Sequence, residues 1–325
     1  MKINDKIYGL EAINEPVLMD LINSKPIQRL KKIQQAGITG HILKDRNYTR
    51  YEHSVGVMIL LRKKGASLEE QIQGLLHDVA HTAFSHVVDF IFKSKDHTYH
   101  EKEYKNVVLN SEIPQIIKDY NLDINIFLEG NGFSLLEREI PDLCADRIDY
   151  SLRDIMNSKL RDYKKIKNYI ENFIIHDNEI IVSNRNTAKE FATDFLDIDE
   201  KWWANILEVA YFQIAADAIK IALNDKIINE KDLFKNDDFI LDKLKSSKNK
   251  SINEKLKFLT KNLKVINSPR DYDFYSRTKL RYVDPKFMEN GEIKRLSDVD
   301  KDFKERLKQH KALTENGCYV KIVSC

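Results

Sequence analysis

Gly74-Leu75-Leu76-His77-Asp78-Val79-Ala80-His81-Thr82-Ala83-Phe84-Ser85-His86 is the stretch on which the reading turns. Leu68, Ile72, Leu75, Leu76 and Val79 recur at helical spacing, and Ser67 with Glu70 three residues on opens that helix in a capping-box pattern. On a helix His77 and His81 are i,i+4 and share one face. Asp78, about 100° around the axis from His77, borders the same pocket. A single histidine on an apolar helix is ordinarily a satisfied core residue. A carboxylate beside an imidazole among Leu75, Leu76, Val79 and Ala80 is different, because burying it unpaired is costly. A cation or a set of hydrogen bonds must compensate, and a metal does so directly.

Working outward, six of the nine histidines fall within residues 53–100: His53, His77, His81, His86, His97 and His100. An even scatter would place about 1.3 there, so the clustering asks for a chemical reason. His53 stands in Arg50-Tyr51-Glu52-His53-Ser54-Val55-Gly56-Val57, at the start of a helix and near a cationic side chain. Asp146 stands in Asp142-Leu143-Cys144-Ala145-Asp146-Arg147-Ile148-Asp149-Tyr150-Ser151-Leu152-Arg153-Asp154. On a helix Asp146, Tyr150 and Asp154 form an i, i+4, i+8 stripe that drifts slowly round the axis. Two carboxylates with two imidazoles suit a divalent ion of intermediate hardness, such as Mn²⁺, Fe²⁺, Co²⁺ or Ni²⁺, better than a thiolate-type zinc site.

The rest of the chain frames this window. Its 325 residues, 42% hydrophobic, are enough to bury a sizeable core. Glycine (10) and proline (6) are scarce, and helices are expected across residues 101–110, 141–157, 187–196 and 201–224. Only two places read as strands. One is Phe173–Val182, where His176-Asp177-Asn178 between apolar pairs signals a hairpin. The other is the C-terminal region around Tyr282-Val283-Asp284-Pro285 and Tyr319-Val320-Lys321-Ile322-Val323. The expected fold is mostly α, a helical bundle with a short internal hairpin and a small C-terminal α+β region. Residues 1–225 are expected to form the core domain, with 226–325 packed on it.

No run approaches the roughly 18 apolar residues of a membrane span. The opening MKINDKIYGLE lacks the apolar stretch of a secretory signal, and Cys144, Cys318 and Cys325 are too scattered for a disulfide framework. A reduced, cytoplasmic setting is the expectation. The net charge of +2 speaks against a protein that coats nucleic acid. Residues 243–264 carry eight lysines against Glu254 alone, and the favoured reading is a solvated helical face. A nucleic-acid patch is the less favoured one.

Taken in order, RYEHSVGV (50–57), HDVAHTAFSH (77–86) and DRIDY (146–150) resemble the H…HD…D signature of HD-domain phosphohydrolases. The similarity is to the branch of deoxynucleoside triphosphate triphosphohydrolases. It extends upstream through Gln28-Arg29-Leu30 and Gln35, downstream through His100-Glu101, and thinly into Arg281–Pro285 and Val320–Ile322. The resemblance implies an HD-type helical fold and a divalent metal (Mn, Fe, Co, Ni, Mg or Zn) held by His53, His77, Asp78 and Asp146. It further implies that Arg50 and Arg147 contact substrate phosphates and that His81, His86, His100 and Glu101 line the reaction centre. Tyr150 and Asp154 would border the nucleoside, and Gln35 would reach the sugar. A homo-oligomer, dimer or higher, is implied as well.

One departure stands out. The family carries a Tyr-x-His-Lys segment on a later helix, where this chain has Trp202-Trp203-Ala204-Asn205-Ile206-Leu207-Glu208-Val209-Ala210-Tyr211-Phe212, without histidine or lysine. Tyr211 is the candidate to serve in part, and the tryptophan pair reads first as core or subunit packing, second as a base-stacking surface. The expected activity is metal-assisted hydrolysis of deoxynucleoside triphosphates to nucleoside and triphosphate. The alternatives are a nucleotide phosphomonoesterase or phosphodiesterase, and a non-catalytic nucleotide sensor.

Overall fold

The computed structural model describes residues 1–92, 98–130 and 132–325; His97 of the histidine window lies outside them. The chain opens with an antiparallel hairpin, β1 (Lys2–Asp5) on β2 (Gly9–Ala12). Helix α1 (Arg50–Lys63) starts at a full capping box, in which Thr49 accepts from Glu52 N and Glu52 accepts from Thr49 N. It packs on α2 (Leu68–Leu76), and Gly74 permits the approach: a Cβ there would lie 2.4 Å from Leu61 Cδ1. Ser67 caps α2 as expected, accepting from Glu70 N. The Glu70 carboxylate does not close the box; it accepts from the Leu135 and Leu136 amides instead.

The expected helical face of His77 and His81 is corrected by the structure. Helix α2 ends at Leu76, His77 is its C-cap, and the chain then runs through tight turns to Phe84 and Ser85 at φ +58° and +53°. Distant side chains replace helical hydrogen bonding along this loop. Arg29 Nη2 donates to the Val79 and His81 carbonyls, and its Nη1 donates to those of Phe234 and Lys235. Asp237 accepts from the Phe84 and Gln34 amides and bonds the His41 ring.

Further on come α3 (Tyr99–Leu109) and α4 (Ala145–Asn157). The latter begins four residues later than expected, since Leu143 is extended and bridges to Ile180. Strands β3 (Phe173–His176) and β4 (Glu179–Val182) form the anticipated hairpin, with Asp177 and Asn178 both at positive φ as its two-residue turn requires. Helix α5 (Arg185–Ile198) follows. A wide turn closed by Ala204 N on Asp199 O then breaks the expected 201–224 helix, so α6 spans Ile206–Asn224, capped by Asn205.

The C-terminal third holds β5 (Lys264–Asn267), β6 (Phe274–Ser276), β7 (Lys286–Glu289), β8 (Glu292–Arg295), α7 (Lys301–Asn316) and β9 (Cys318–Ser324). One sheet has the order β3-β4-β7-β8 and another β5-β9-β6. The expected strand at Tyr282–Pro285 is instead an extended loop. Its backbone bonds are not those of a strand ladder: Asp284 N donates to Pro141 O, and the Arg295 side chain donates to Asp284 O. The strands of residues 1–12, 264–276 and 286–295 were not anticipated; at three or four residues each they are too short to display alternation.

Two hydrophobic cores result. One joins α1, α2, α4 and α5 to Val283, Phe287, Leu296 and Phe303. The other joins Phe84, Val87 and α6 to Ile228, Leu233, Ile240, Ile252 and Val320. Residues 226–325 thus contribute to both. The lysines of 243–264 are exposed except Lys255, which is partly buried and pairs with Asp217 at 2.9 Å. Among the described residues no helix is long and apolar enough to cross a membrane.

Candidate metal centre

Three elements deliver the key side chains: α1 brings Arg50 and His53, the end of α2 brings His77 and Asp78, and the first turn of α4 brings Asp146. His53 Nε2 lies 3.0 Å from Asp146 Oδ1 and 3.6 Å from Asp78 Oδ2. His77 Nε2 lies 3.6 Å from both Asp78 Oδ1 and Asp146 Oδ1. Each imidazole is anchored through its other nitrogen, His53 Nδ1 on Asp149 Oδ2 at 2.8 Å and His77 Nδ1 on the Gly74 carbonyl at 2.7 Å. Both Nε2 atoms therefore turn toward the same point.

The donor set fits a divalent cation. His77 Nε2 is buried with no hydrogen-bond partner, and the ligand atoms of His53, His77 and Asp146 all lie within 4.8 Å of one another. Electrostatics agree. Burial disfavours the Asp78 carboxylate, but Arg50 and the neighbouring imidazoles outweigh it and hold its pKa well below the usual range. Burial likewise works against protonated His77, yet Asp78 and Asp146 pull its pKa up to about 10. The cluster attracts positive charge, and a metal would compete with protons for the same nitrogen lone pairs.

Beside it stands a second imidazole group. His81 and His100 stack at 3.8 Å between centroids, and His86 meets them edge-on at 4.9 and 5.5 Å. His81 Nε2 lies 3.1 Å from Asp78 Oδ1, and His86 Nδ1 bonds Asp89 Oδ2 at 3.0 Å. Burial pushes the His100 pKa down to about 4 and lowers His81 as well, assisted by Arg50.

His77, Asp78, Asp146, His81, His86 and His100 line one cavity of about 730 Å³; His53 is buried and does not line it. Glu101, Gln35, Arg50 and Arg147 line it, as does the whole Asp146, Tyr150, Asp154 stripe. Arg50 donates to Ser85 Oγ and Asp78 Oδ2. Arg147 donates to the Asp142 and Arg138 carbonyls and to Cys144 Sγ, with the Asp146 and Glu137 carboxylates in electrostatic reach but not bonded to it. Trp203 Nε1 donates to Asp154 Oδ2 at 2.7 Å, and burial pushes the Asp154 carboxyl up to about 6.

Both tryptophans line the cavity, Trp202 nearly buried. Tyr211 does not line it; the side chain is fully buried and its hydroxyl donates to the Thr260 carbonyl.

Several contributors were missed in the sequence. Asp149 fixes His53 and is itself held by Arg153, which also pairs with Asp5 at 2.8 Å. Gly56 makes room for this network, since a Cβ there would sit 1.9 Å from Arg153 Nη2. The i,i+4 pair Asp149–Arg153 was the available signal. At the far end Arg46 pairs with Glu208 and lies over the Trp202 ring at 4.7 Å. Burial raises Glu208 to about 7 in spite of Arg46. Nothing in the sequence linked residues 162 positions apart.

Comparison with known proteins bears on this geometry. An HD-domain family model matches residues 50–154. The uncharacterized protein YdhJ of Bacillus subtilis is 35% identical over 324 residues, 99% of each chain. The metal-dependent phosphohydrolase cns2 of Cordyceps militaris is 34% identical over 218 residues, 65% of this chain and 63% of its own. The deoxynucleoside triphosphate triphosphohydrolase SAMHD1 homolog of Dictyostelium discoideum is 26% identical over 328 residues, 86% of this chain and 62% of its own. The crystal structure of a phosphohydrolase from Bacteroides thetaiotaomicron has the same fold, with a TM-score of 0.72 at 18% identity over 92% of this chain and 94% of that one. Since the matched HD model spans the helices that bring His53, His77 and Asp146 together, the chain belongs to the HD-domain family, as a hydrolase of the metal-dependent phosphohydrolase type.

Proposed function

We propose that this phosphohydrolase cleaves deoxynucleoside triphosphates to nucleoside and inorganic triphosphate, with His53, His77, Asp78 and Asp146 holding its divalent metal. The observation that carries the reading is the convergence of two imidazole Nε2 atoms and two carboxylates at one end of a nucleotide-sized cavity. The similarity to the Dictyostelium triphosphohydrolase supports the substrate class. When bound, the metal supplies Lewis acidity toward a phosphoryl oxygen and acidifies water.

The chain's own residues do the rest. Arg50, steadied by Asp78 and Ser85, presents a guanidinium to the phosphate under attack, where negative charge develops. Water attacks the α-phosphorus in line and the bond to the nucleoside oxygen breaks. That oxygen takes a proton from an imidazole. His86 is the one built to hold it, because the Asp89 carboxylate backs its Nδ1, whereas burial keeps His81 and His100 neutral. Gln35, Tyr150 and Asp154 border the nucleoside, with Trp203 orienting the Asp154 carboxyl.

A phosphomonoesterase or phosphodiesterase is the second reading, favoured by the lack of lysine and histidine across Trp202–Phe212. Product analysis separates the two. The protein is supplied with Mn²⁺, Fe²⁺, Co²⁺, Ni²⁺, Zn²⁺ or Mg²⁺ and a panel of nucleotides, and products are resolved by ion-exchange chromatography and phosphorus NMR. Inorganic triphosphate plus nucleoside, absent in Asp78→Ala, is the expected result. Orthophosphate or a nucleoside monophosphate would replace it with the second reading.

A further inference from the structure

A triphosphate brings several negative charges into a cavity whose walls are already acidic. Glu101, Glu129 and Glu137 face it beside Asp146. Of the wall's cations, Arg50 is committed to Asp78 and Arg46 to Glu208. Among the described residues Arg147 forms no direct ion pair, and the α6 side adds neither lysine nor histidine between Trp202 and Phe212. A polyanion needs more positive charge than this.

The structure has such charge in a different place. Between β6 and the anchored loop Tyr282–Pro285, the chain passes along the cavity as a strap, and Thr278, Lys279, Leu280 and Arg281 line it. Among the described residues neither Lys279 nor Arg281 forms an ion pair; the one bond of the Arg281 guanidinium is to the Lys279 carbonyl, at 3.5 Å. Arg281 acts electrostatically on the Tyr150 phenol, as Arg147 and Asp146 do, and the Tyr150 ring stands between His53 at 6.5 Å and Trp203 at 5.2 Å.

Its backbone is pinned as well. The buried His310 donates from Nε2 to the Arg281 carbonyl at 2.9 Å, and the Lys311 ammonium lies over the Tyr282 ring at 4.0 Å. Val283 is fully buried, and Asp284 N donates to the Pro141 carbonyl at 3.0 Å. Two uncompensated cations held at the lip by such anchors differ from a free surface loop.

We propose that Lys279 and Arg281 form the subsite for the terminal phosphates of a nucleoside polyphosphate, replacing cations that α6 does not carry. This deepens the triphosphohydrolase reading and rests on it. The strap then decides the length of the phosphate chain, while Arg50 and Arg147 serve the phosphate that reacts.

The test titrates the full-length protein calorimetrically with inorganic tripolyphosphate and with orthophosphate, under the same excess of Mg²⁺. Wild type is expected to bind tripolyphosphate at least about 10-fold tighter than orthophosphate. Lys279→Gln/Arg281→Gln is expected to lose that preference with orthophosphate affinity and melting temperature unchanged, and Lys279→Arg/Arg281→Lys to keep it. Steady-state kinetics in parallel should show a rise in KM of about 10-fold or more for triphosphates in the Gln variant, with kcat little changed.

Equal binding of the two anions by wild type, or an unchanged preference in the Gln variant, overturns the subsite. If wild type releases orthophosphate from monophosphates only, yet binds tripolyphosphate through the strap, the triphosphohydrolase reading fails and the subsite stands. If triphosphates are hydrolysed with the same KM by the Gln variant, the reading stands and the subsite fails.

Discussion

The two ends of the cavity handle buried acids in opposite ways. At the His53–His77 end, Asp78 and Asp146 sit among imidazoles and Arg50, and both carboxyls are driven far toward ionisation against the pull of burial. At the Trp203 end, burial wins: Asp154 rises to about 6 and Glu208 to about 7, even with Arg46 alongside. The first arrangement concentrates negative charge and calls for a cation. The second raises the carboxyls toward neutral pH, so that a small change in surroundings decides whether each holds a proton. The same residue types are firmly ionic at one end and poised between two protonation states at the other, and the neighbouring side chains decide which.

Substitutions can break or sharpen this contrast. The largest effect is expected at the ionic end: His77→Ala should lower kcat/KM by about 10³-fold and reduce bound metal, read by plasma emission spectrometry alongside kinetics. Next, Asp149→Ala frees His53 and leaves buried Arg153 with Asp5 as its one remaining carboxylate. It should weaken metal affinity about 10- to 100-fold and destabilise the fold by about 3 kcal/mol in urea unfolding.

At the neutral end the expected signature is a pH dependence. The folded state keeps the Asp154 proton up to about pH 6, whereas the unfolded chain releases it near 3.8. The contribution is full below the unfolded value and is lost as pH rises through about 6, amounting to about 3 kcal/mol. Asp154→Asn, which cannot ionise, should therefore gain stability relative to wild type between pH 4 and 7; a pH-independent difference in urea midpoints would contradict the assignment. The smallest effect is Trp203→Phe, which removes one hydrogen bond to Asp154 and should cost about 1 kcal/mol of stability, by the same unfolding measurement.

The ionic end was legible in the sequence because its chemistry is local. His77 and Asp78 are adjacent, His53 sits beside Arg50, and Asp146 to Asp154 follow a helix that forms as its pattern predicts. What misled was the backbone between His77 and His86. Apolar spacing argued for a continued helix, but Arg29 and Asp237 reach in from distant parts of the chain and satisfy the loop instead. Arg46 with Glu208, and the strap at Lys279, were invisible for the same reason: only the folded chain brings them to the cavity. The short strands carried too few residues for alternation to show, whereas the Phe173–Val182 hairpin was readable from its two-residue turn.

The clamp formed by Arg29 and Asp237 also sets an order of events during synthesis. Asp237 follows Phe84, whose amide it caps, by 153 residues, and the Phe234 and Lys235 carbonyls that fix Arg29 emerge only just before it. At roughly 5–20 residues per second, a ribosome exposes the histidine loop for roughly 8–30 s before the Asp237 carboxylate that caps it exists. For that interval the nascent chain has histidines and carboxylates but no finished geometry to hold them. The centre is completed late, by a part of the chain 153 residues downstream of its own motif.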